Sequence, residues 1–197
     1  MILSRYTGLP DTEWAAITQQ LIDEHPLDAT ELVEIVLKSW EAIFHSKIGA
    51  SGFLIGKHIY PKPQIMGFLL HELIPLEYAV RYPNLWRGEK TSQDKDLEYI
   101  PDSKFSVEIK TSSSGAQIFG NRSYAQESEG NDKKSKSGYY LTVNFEKFSG
   151  ASLPKVRLIR FGWLDHTDWI GQKSATGQQA RLSPATELYK LARLYSC

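Results

Sequence analysis

The sequence has little cysteine, no long apolar run and no net charge, and each of these scarcities excludes a class of protein. Its one cysteine, Cys197, excludes an internal disulfide and a cysteine-rich zinc site. No apolar run approaches the roughly 18 residues of a membrane-spanning helix, and no stretch resembles a signal peptide. We therefore expect a protein that works in a reducing cytoplasm.

The charge is balanced, with 23 basic and 23 acidic side chains. An indiscriminate nucleic-acid binder is expected to carry a basic surplus, so the balance argues against that class. A sequence-specific DNA protein stays open, because the distribution of charge matters more than its sum. Basic residues do gather on both sides of the acidic stretch at residues 96–108, namely Arg81, Arg87, Lys90 and Lys95 before it and Arg122, Lys133, Lys134 and Lys136 after it.

Four helices are predicted from apolar periodicity and from end signals. They run from a cap at Asp11 to about His25, from a cap at Asp28 or Thr30 through Phe44, from Gln64 to Tyr82, and over 183–195 with Ser183 as cap and Pro184 first. Pro75 lies inside the third helix and should kink or split it. Residues 1–60 are therefore an N-terminal helical part that ends in a glycine-rich loop from Ser46 to Gly56.

Strand patterns fill the region between the third and last helices. A hairpin over residues 96–110 is followed by a polar segment from Ser112 to Ser137 and by strands at Tyr139–Phe145 and Val156–Leu164. Residues 64–165 thus form the expected core. With 41% hydrophobic and 23% charged residues, the 197-residue chain suits one globular domain of mixed α/β (α+β) class.

The hairpin would bring three charged side chains onto one surface. Because successive strand residues point to opposite faces, Glu108 and Lys110 share a polar face while their neighbours in the strand are apolar. If the turn at residues 101–104 closes the hairpin in register, Asp96 approaches both of them. Two carboxylates and a lysine beside a hydrophobic sheet suit divalent metal binding and phosphodiester hydrolysis.

The spacing alone is not specific. An acid two residues before a lysine occurs at Asp102/Lys104, Glu108/Lys110 and Asp132/Lys134. A solvated hairpin face with an ordinary cross-strand ion pair explains Glu108/Lys110 equally well. Asp102 is expected to be a turn residue, because an extended segment would hold it about 20 Å from Glu108.

Three further acids are open candidates for the site. Asp94 and Glu98 share the strand parity of Asp96 and stand in reserve for its role. Glu72 lies near the side of the third helix that we expect to be buried. It is either an acid that supports a metal site or a boundary acid that reaches solvent.

These stretches together resemble a known class of nucleases. The hairpin acids, Glu108-Ile109-Lys110 and the following Thr111–Ser114 resemble the PD-(D/E)xK nuclease superfamily. The stretches 68–77, 94–102 and 118–126, the last with Gly-Asn-Arg-Ser-Tyr-Ala-Gln, resemble type II restriction endonucleases of the ScaI kind. The resemblance covers roughly residues 55 to 165.

The resemblance implies a central mixed β-sheet flanked by helices, a homodimer, and Mg²⁺-dependent cleavage of palindromic double-stranded DNA, with AGTACT cut to blunt ends as the associated site. It makes Asp96, Glu108 and the backbone carbonyl of Ile109 the metal ligands, with Glu72 as a further candidate, and Lys110 the catalytic cation. It also implies a restriction-modification system in a bacterial or archaeal cytoplasm, in which a cognate DNA methyltransferase protects host DNA without a stable complex.

DNA contacts fall mainly to the segment after the catalytic strand. The candidates are Asn121 and Gln126 for adenine, Arg122 for guanine, Ser123 and Tyr124 for bases or phosphates, and Lys57 for phosphate. For any single one of them, a polar surface loop is the alternative. The segment from Glu127 to Lys136 is expected to order only on DNA.

Two other functions fit the same residues. A junction-resolving or repair endonuclease of the same superfamily would cut by DNA shape instead of sequence. A non-catalytic DNA-binding protein would carry Glu108/Lys110 as a plain ion pair, and Lys110→Ala would then change no measurable behaviour.

Overall fold

The computed structural model describes residues 4–126, 135–150, 152–174 and 176–197. Its helices are α1 (Asp11–Asp23), α2 (Ala29–His45), α3 (Pro63–Arg81) and α4 (Pro184–Tyr189). Its strands are β1 (Lys47–Ile48), β2 (Phe53–Leu54), β3 (Trp86–Gly88), β4 (Leu97–Tyr99), β5 (Val107–Ser112), β6 (Phe119–Asn121), β7 (Gly138–Phe145), β8 (Val156–Leu164), β9 (Trp169–Gly171), β10 (Gln179–Leu182) and β11 (Leu191–Ser196). None of the helices within these ranges combines the length and the apolar character needed to cross a membrane.

Six strands form a central sheet in the order β11-β8-β7-β5-β4-β3. The β5–β7 pair is parallel, with Glu108 opposite Tyr140 and Lys110 opposite Thr142, and the other neighbouring pairs are antiparallel. Helices α1, α2 and α3 pack on this mixed sheet. The predicted mixed α/β class with a central sheet flanked by helices is confirmed.

One face of the sheet is apolar and carries α1, α2 and α3. On β4, β5 and β7 the residues of odd number fill it, and Leu97, Val107, Ile109, Leu141 and Val143 are fully buried. Each buried aliphatic side chain contributes about 1.5–3 kcal/mol relative to exposure. This helix face, as we name the layer, is the main core of the protein.

The opposite face carries a smaller layer, made of α4 and a three-stranded sheet in the order β6-β10-β9. Eight buried residues form its core, namely Ile118, Tyr124, Tyr140, Leu164, Trp169, Ala180, Leu182 and Leu191. We call this second face of the sheet the site face. Glu108 and Lys110 lie on it, because Glu108 is opposite Tyr140 in the neighbouring strand and binds Tyr124, and Lys110 has the same strand parity as Glu108.

A buried polar network on the site face fixes the chain between β5 and β6. Arg160 donates to the carbonyl of Ala116 at 2.5 Å and to Oδ1 of Asn144 at 3.3 Å, and its Nη1 lies 3.6 Å from the carboxylate of Glu187. Asn144 in turn donates to the carbonyls of Ser114 and Gln117. A loop that would otherwise expose its backbone polar groups is thus held in one conformation.

Helices α1, α2 and α3 lie close to where their sequence signals predict them. Helix α1 begins at Asp11, with Pro10 and not Asp11 at the N-cap, and it ends at Asp23. For α2 the cap is Asp28, whose carboxylate accepts from the backbone N–H of Glu31 at 2.7 Å, and not Thr30. Helix α3 continues through Pro75, so the predicted alternative of a split helix is wrong.

The predicted C-terminal helix over 183–195 is wrong beyond Tyr189. Ser183 caps α4 and Pro184 is its first residue, as expected, but residues 191–196 form the edge strand β11. Lys190 ends the helix because its buried ammonium binds the carboxylate of Asp168 at 2.8 Å. Its carbonyl approaches Gly162 so closely that a Cβ there would lie 2.0 Å away, and β11 then pairs with β8.

The N-terminal part is not helical throughout. The predicted glycine-rich loop from Ser46 to Gly56 contains a short antiparallel hairpin of β1 and β2. Glycines with positive φ at positions 49 and 52 form its turn, where φ is 73° and 69°. Lys57 follows this hairpin and is exposed.

Candidate active site

Asp96 lies where β4 and β5 separate. The two strands share the pair Leu97–Val107, and Asp96 directly precedes β4. Its Oδ2 accepts a hydrogen bond from the backbone N–H of Ile109 at 2.6 Å, and Nδ1 of His71 lies 3.6 Å from the same oxygen. The carboxylate therefore satisfies a backbone N–H of β5 that no backbone carbonyl of β4 reaches. This N–H belongs to Ile109, the residue that follows Glu108.

Glu108 is a buried carboxylate held by hydroxyl and ammonium donors. Only 2% of the residue is exposed. Its Oε1 accepts from Nζ of Lys110 at 2.7 Å and from the hydroxyl of Tyr124 at 2.5 Å, and its Oε2 lies 4.0 Å from Nζ of Lys95. Burial of a charge is tolerated only with such partners. The alternative of a solvated hairpin face is therefore wrong for Glu108/Lys110.

Two tyrosines stay protonated beside the acids. Burial raises the pKa of Tyr124 far above its usual range, and the negative charge of Glu108 adds to the effect. Burial and the same charge also raise the pKa of Tyr140. Asp96 contributes in the same direction to both, which agrees with the two carboxylates standing close together. Tyr124 therefore acts as a donor to Glu108.

Two lysines approach the same carboxylate from different elements. Nζ of Lys110 also donates to the carbonyl of Ile109 at 3.2 Å and stands 4.7 Å from the centre of the Tyr124 ring. Lys95 is buried, and its Nζ donates to the carbonyl of Ser135 at 2.6 Å. Lys95 was not among the site residues predicted from the sequence. Its position beside Asp96 was the available signal.

The reserve acids have other roles. Asp94 binds Arg87 at 2.6 Å and caps the turn at Lys90 and Thr91, and its hydrogen bond with Arg87 holds the pKa of the carboxyl well below its usual value. Glu98 is buried and accepts from the backbone N–H of Lys95 and from Ser106. Neither is placed as well as Asp96 to act with Glu108.

The other two acid-lysine pairs differ from Glu108/Lys110. Asp102 caps a short 3-10 turn and forms a surface ion pair with Lys104 at 2.8 Å, which confirms the prediction of a turn residue. Asp132 and Lys134 lie outside the described residues. So does most of the segment 127–136 that we expect to order on DNA, although Ser135 and Lys136 are described and contact Lys95 and Tyr124.

A cleft of about 1080 Å³ opens beside Asp96. One wall is α3, with His71 and Glu72, and the other is the end of β5 from Thr111 to Ser114. The helix can approach the strand this closely because of Gly67, where a Cβ would lie 2.4 Å from Oγ1 of Thr111. A smaller recess of about 250 Å³ adjoins it and is lined by Lys110, Phe119, Gly120, Asn121, Tyr124 and Gln179.

The donor set suits a hard divalent cation. Asp96 binds the backbone N–H of Ile109, and Lys110 binds both Glu108 and the carbonyl of Ile109, so carboxylate and carbonyl oxygens of the kind that Mg²⁺ prefers lie on adjacent residues of one strand and beside its start. Within the described ranges, no group of three His, Cys, Asp or Glu side chains is arranged to hold a metal. Two acids are enough for an ion that keeps several waters or takes phosphate oxygens. Glu72 is exposed on the cleft wall, so its predicted place near the buried side is wrong.

The predicted DNA-contacting residues divide into two groups. Asn121, Ser123 and Gln126 are exposed. Tyr124 is buried, with 7% exposed, and its hydroxyl already donates to Glu108, so its contact with bases or phosphates stays a prediction. Arg122 is half-buried, and its Nη1 donates to the carbonyls of Ser174 and Gly177.

A mixed six-stranded sheet flanked by helices is the architecture of a restriction-endonuclease-like fold. A family model described as ScaI restriction endonuclease matches residues 4–195. The type II restriction enzyme ScaI of Streptomyces caespitosus is 53% identical over 195 residues, covering 98% of this chain and 85% of that enzyme. No solved structure matches the chain.

The chain therefore belongs to the ScaI restriction endonuclease family. The predicted resemblance is confirmed, and the match extends well beyond the expected residues 55 to 165. Restriction endonucleases are hydrolases that cut double-stranded DNA, and those of type II generally need a divalent metal.

Proposed function

We propose that this protein is a type II restriction endonuclease that hydrolyses both strands of a short palindromic site, AGTACT, to blunt ends with Mg²⁺. The observation that carries the proposal is that Asp96 binds the backbone N–H of Ile109, the residue between Glu108 and Lys110, while Lys110 binds Glu108. This arrangement fits the PD-(D/E)xK pattern, with Asp96 as the first acid and Glu108-Ile109-Lys110 as the second part. The target site is the one that the resemblance to restriction enzymes of the ScaI kind implies, and the 53% identity to such an enzyme supports carrying it over to this chain.

Each residue has a role in this proposal. Asp96, Glu108 and the carbonyl of Ile109 would hold the metal, which neutralises charge on the scissile phosphate and lowers the pKa of a bound water. Lys110 lies within hydrogen-bond reach of Glu108 and of the Ile109 carbonyl, so its compact charge is placed to orient the attacking water or stabilise the phosphate oxygens. The products would be a 5′-phosphate and a 3′-hydroxyl.

The remaining parts of the proposal concern the assembly, the DNA contacts and the protection of host DNA. A palindromic duplex presents the same half-site twice, so a two-fold homodimer would place one active site on each strand. Asn121, Ser123 and Gln126 would contact the DNA, and exposed Lys57 would bind a phosphate. In a bacterial or archaeal cytoplasm, a cognate methyltransferase would protect the host sites.

The deciding experiment is a plasmid digest with Mg²⁺, followed by sequencing of the ends. We expect blunt cuts at one reproducible sequence, and no cutting when the metal is removed with EDTA. Cuts at branched structures regardless of sequence would favour a junction or repair enzyme instead. An uncut plasmid under all divalent metals would contradict the proposal.

A matched pair of lysine variants tests the site itself. Lys110→Ala should abolish cleavage, whereas Lys104→Ala should leave it unchanged, because Lys104 has the same spacing from an acid but pairs with it on the surface. Thermal unfolding of both variants shows whether they are folded. Equal cleavage by the two variants would show that Lys110 is not a catalytic residue and that Glu108/Lys110 is only a structural ion pair.

A further inference from the structure

Strands β6 and β10 are neighbours in the three-stranded sheet β6-β10-β9, and this pair, which we call the β6–β10 ribbon, has one buried and one exposed face. Along β10, Ala180 and Leu182 are buried in the small core, whereas Gln179 and Arg181 are exposed. On β6, Gly120 lies against Trp169, where a Cβ would be 3.1 Å from the indole ring. The ribbon therefore rests on a packed layer and presents its other face outward.

The register places complementary side chains side by side on that outer face. Asn121 is directly opposite Gln179, and Phe119 is directly opposite Arg181. Opposed residues of an antiparallel pair have Cβ atoms about 4.5–5.5 Å apart. Two amides, a guanidinium and an aromatic ring thus form one compact patch, although their residues are about sixty positions apart in the sequence.

The two arginines near this patch differ in what they already bind. Arg122 uses its guanidinium on the carbonyls of Ser174 and Gly177, and its backbone N–H binds the carbonyl of Gln178. It therefore fixes the loop that leads into β10. Arg181 is exposed, and its guanidinium donates no hydrogen bond to any residue in the described part of the chain. Of the two, Arg181 is the one whose donors face solvent.

The patch adjoins the catalytic residues. Phe119 and Gln179 line both the large cleft, with Asp96, and the smaller recess, with Lys110. A duplex with its scissile phosphate at Asp96 and Lys110 would therefore bring base edges near the ribbon. The major groove of B-DNA admits a two-stranded β-ribbon of this kind.

We propose that the outer face of the β6–β10 ribbon reads the target bases, with Arg181 contacting guanine, the amides of Asn121 and Gln179 contacting adenine, and Phe119 packing on a thymine methyl group. These pairings follow from the donor and acceptor patterns of the bases in the major groove. The proposal rests on the proposed endonuclease function and moves the predicted guanine contact from Arg122 to Arg181.

The first test compares the site preference of the wild type with that of Arg181→Ala, Arg181→Lys and the matched control Arg193→Ala, an exposed arginine on the edge strand β11. Each protein digests bacterial genomic DNA, and the ends are sequenced. Loss of a bidentate guanine contact should reduce discrimination at one G·C pair of each half-site by about 5- to 150-fold. Arg181→Lys should be relaxed similarly, since an ammonium cannot donate as a fork.

Three results of this digestion test would overturn the proposal. One is a target site without a G·C pair. Another is that Arg181→Ala cuts more slowly with unchanged sequence preference, while Arg181→Lys cuts at the full wild-type rate. That behaviour would identify Arg181 as a phosphate contact. The third is an equal relaxation of preference in Arg193→Ala. Gln179→Ala should relax an A·T position instead, and Arg181→Gln replaces Arg181→Ala if the latter does not fold.

A binding selection separates this proposal from the endonuclease function. A library of random duplexes is incubated with each protein in EDTA, and the bound fraction is sequenced. A wild type that selects a sequence without cutting it with any metal would contradict the endonuclease function and leave the ribbon testable by its variants. A wild type that cuts one sequence, with variants that keep its full preference, would contradict the ribbon alone. Binding without any preference would also overturn it.

Discussion

The two faces of the central sheet use the same strand for opposite purposes. On the helix face, Val107 and Ile109 are fully buried among apolar side chains. On the site face, Glu108 and Lys110 are almost as buried but bind each other and Tyr124. A shift of one residue along β5 thus changes a stabilising position into a chemical one, because strand side chains alternate.

The difference between the faces lies in what burial costs. Apolar burial stabilises the helix face directly. The free-energy cost of removing a carboxylate from water is offset only when hydrogen-bond donors or positive charges surround it. On the site face, three residues from separate elements supply positive or hydroxyl partners to Glu108, namely Lys95, Lys110 and Tyr124. The helix face should therefore dominate stability, and the site face should dominate activity.

The largest effect that tests this division is expected from Asp96→Asn. The amide oxygen can still accept the N–H of Ile109, so folding should persist, but the lost charge should lower the cleavage rate by at least about 1000-fold. Supercoiled plasmid cleavage under single-turnover conditions measures the rate. Urea unfolding should give a free energy within about 1 kcal/mol of the wild type.

Glu98→Gln is the matched control for Asp96→Asn. Glu98 is buried and ties Lys95 to Ser106, so its neutral variant should lose stability while it keeps cleavage within about tenfold. The opposite pattern, with activity lost in Glu98→Gln and kept in Asp96→Asn, would transfer the first acid to Glu98 and remove the assigned role of Asp96.

The alternation along β5 is local, which is why the central charges could be predicted. Glu108, Lys110 and Asp96 follow from two short strands and a turn within fifteen residues. Tyr124 and Lys95 could not be predicted as partners of Glu108. Their approach to this carboxylate depends on how the small layer and the chain before β4 fold back onto the sheet. Tyr124 was instead assigned to DNA from the block around it.

Short or edge strands explain most of the remaining differences. Strands β6, β9 and β10 have three or four residues each and are defined by pairing with distant partners, so their own sequence carries little signal. Residues 191–196 have leucines at helical spacing, yet pairing with β8 makes them a strand. In contrast, much of the helix face was predictable, since its apolar periodicity is strong in α2, β7 and β8.

A smaller effect on stability is expected when the pH is lowered, because the helix face contains the buried His25. Burial lowers the pKa of His25 to about 4, and its ring packs among Trp86, Phe105, Tyr139 and Phe161. The folded pKa lies below the unfolded value of 6.5, so the neutral form stabilises the fold fully above pH 6.5. This contribution should be lost progressively as the pH falls toward 4, by at most about 3 kcal/mol.

His25→Gln isolates this contribution from that of the carboxylates. Urea unfolding of both proteins from pH 7.5 to pH 4 gives two curves, and their difference reports His25 alone. The variant should be less stable at pH 7.5, because the histidine ring binds the carbonyl of Phe105 and the N–H of Leu27. The gap should narrow toward pH 4. Parallel curves would show that the histidine keeps an ordinary pKa in the folded state.

The smallest effect should come from Tyr124→Phe, which removes one donor from Glu108 and leaves the ring in the small core. Residues that orient a metal ligand typically change activity or metal affinity by about 10- to 100-fold, and here Lys110 still binds the same oxygen. We expect a loss of about tenfold in single-turnover rate, a higher Mg²⁺ requirement and an unchanged cleavage sequence. If Tyr124 instead reads bases, the sequence preference changes while the Mg²⁺ requirement stays constant. The two interpretations therefore differ in which of these readouts moves, and a magnesium titration at the target site and at single-mismatch sites measures both.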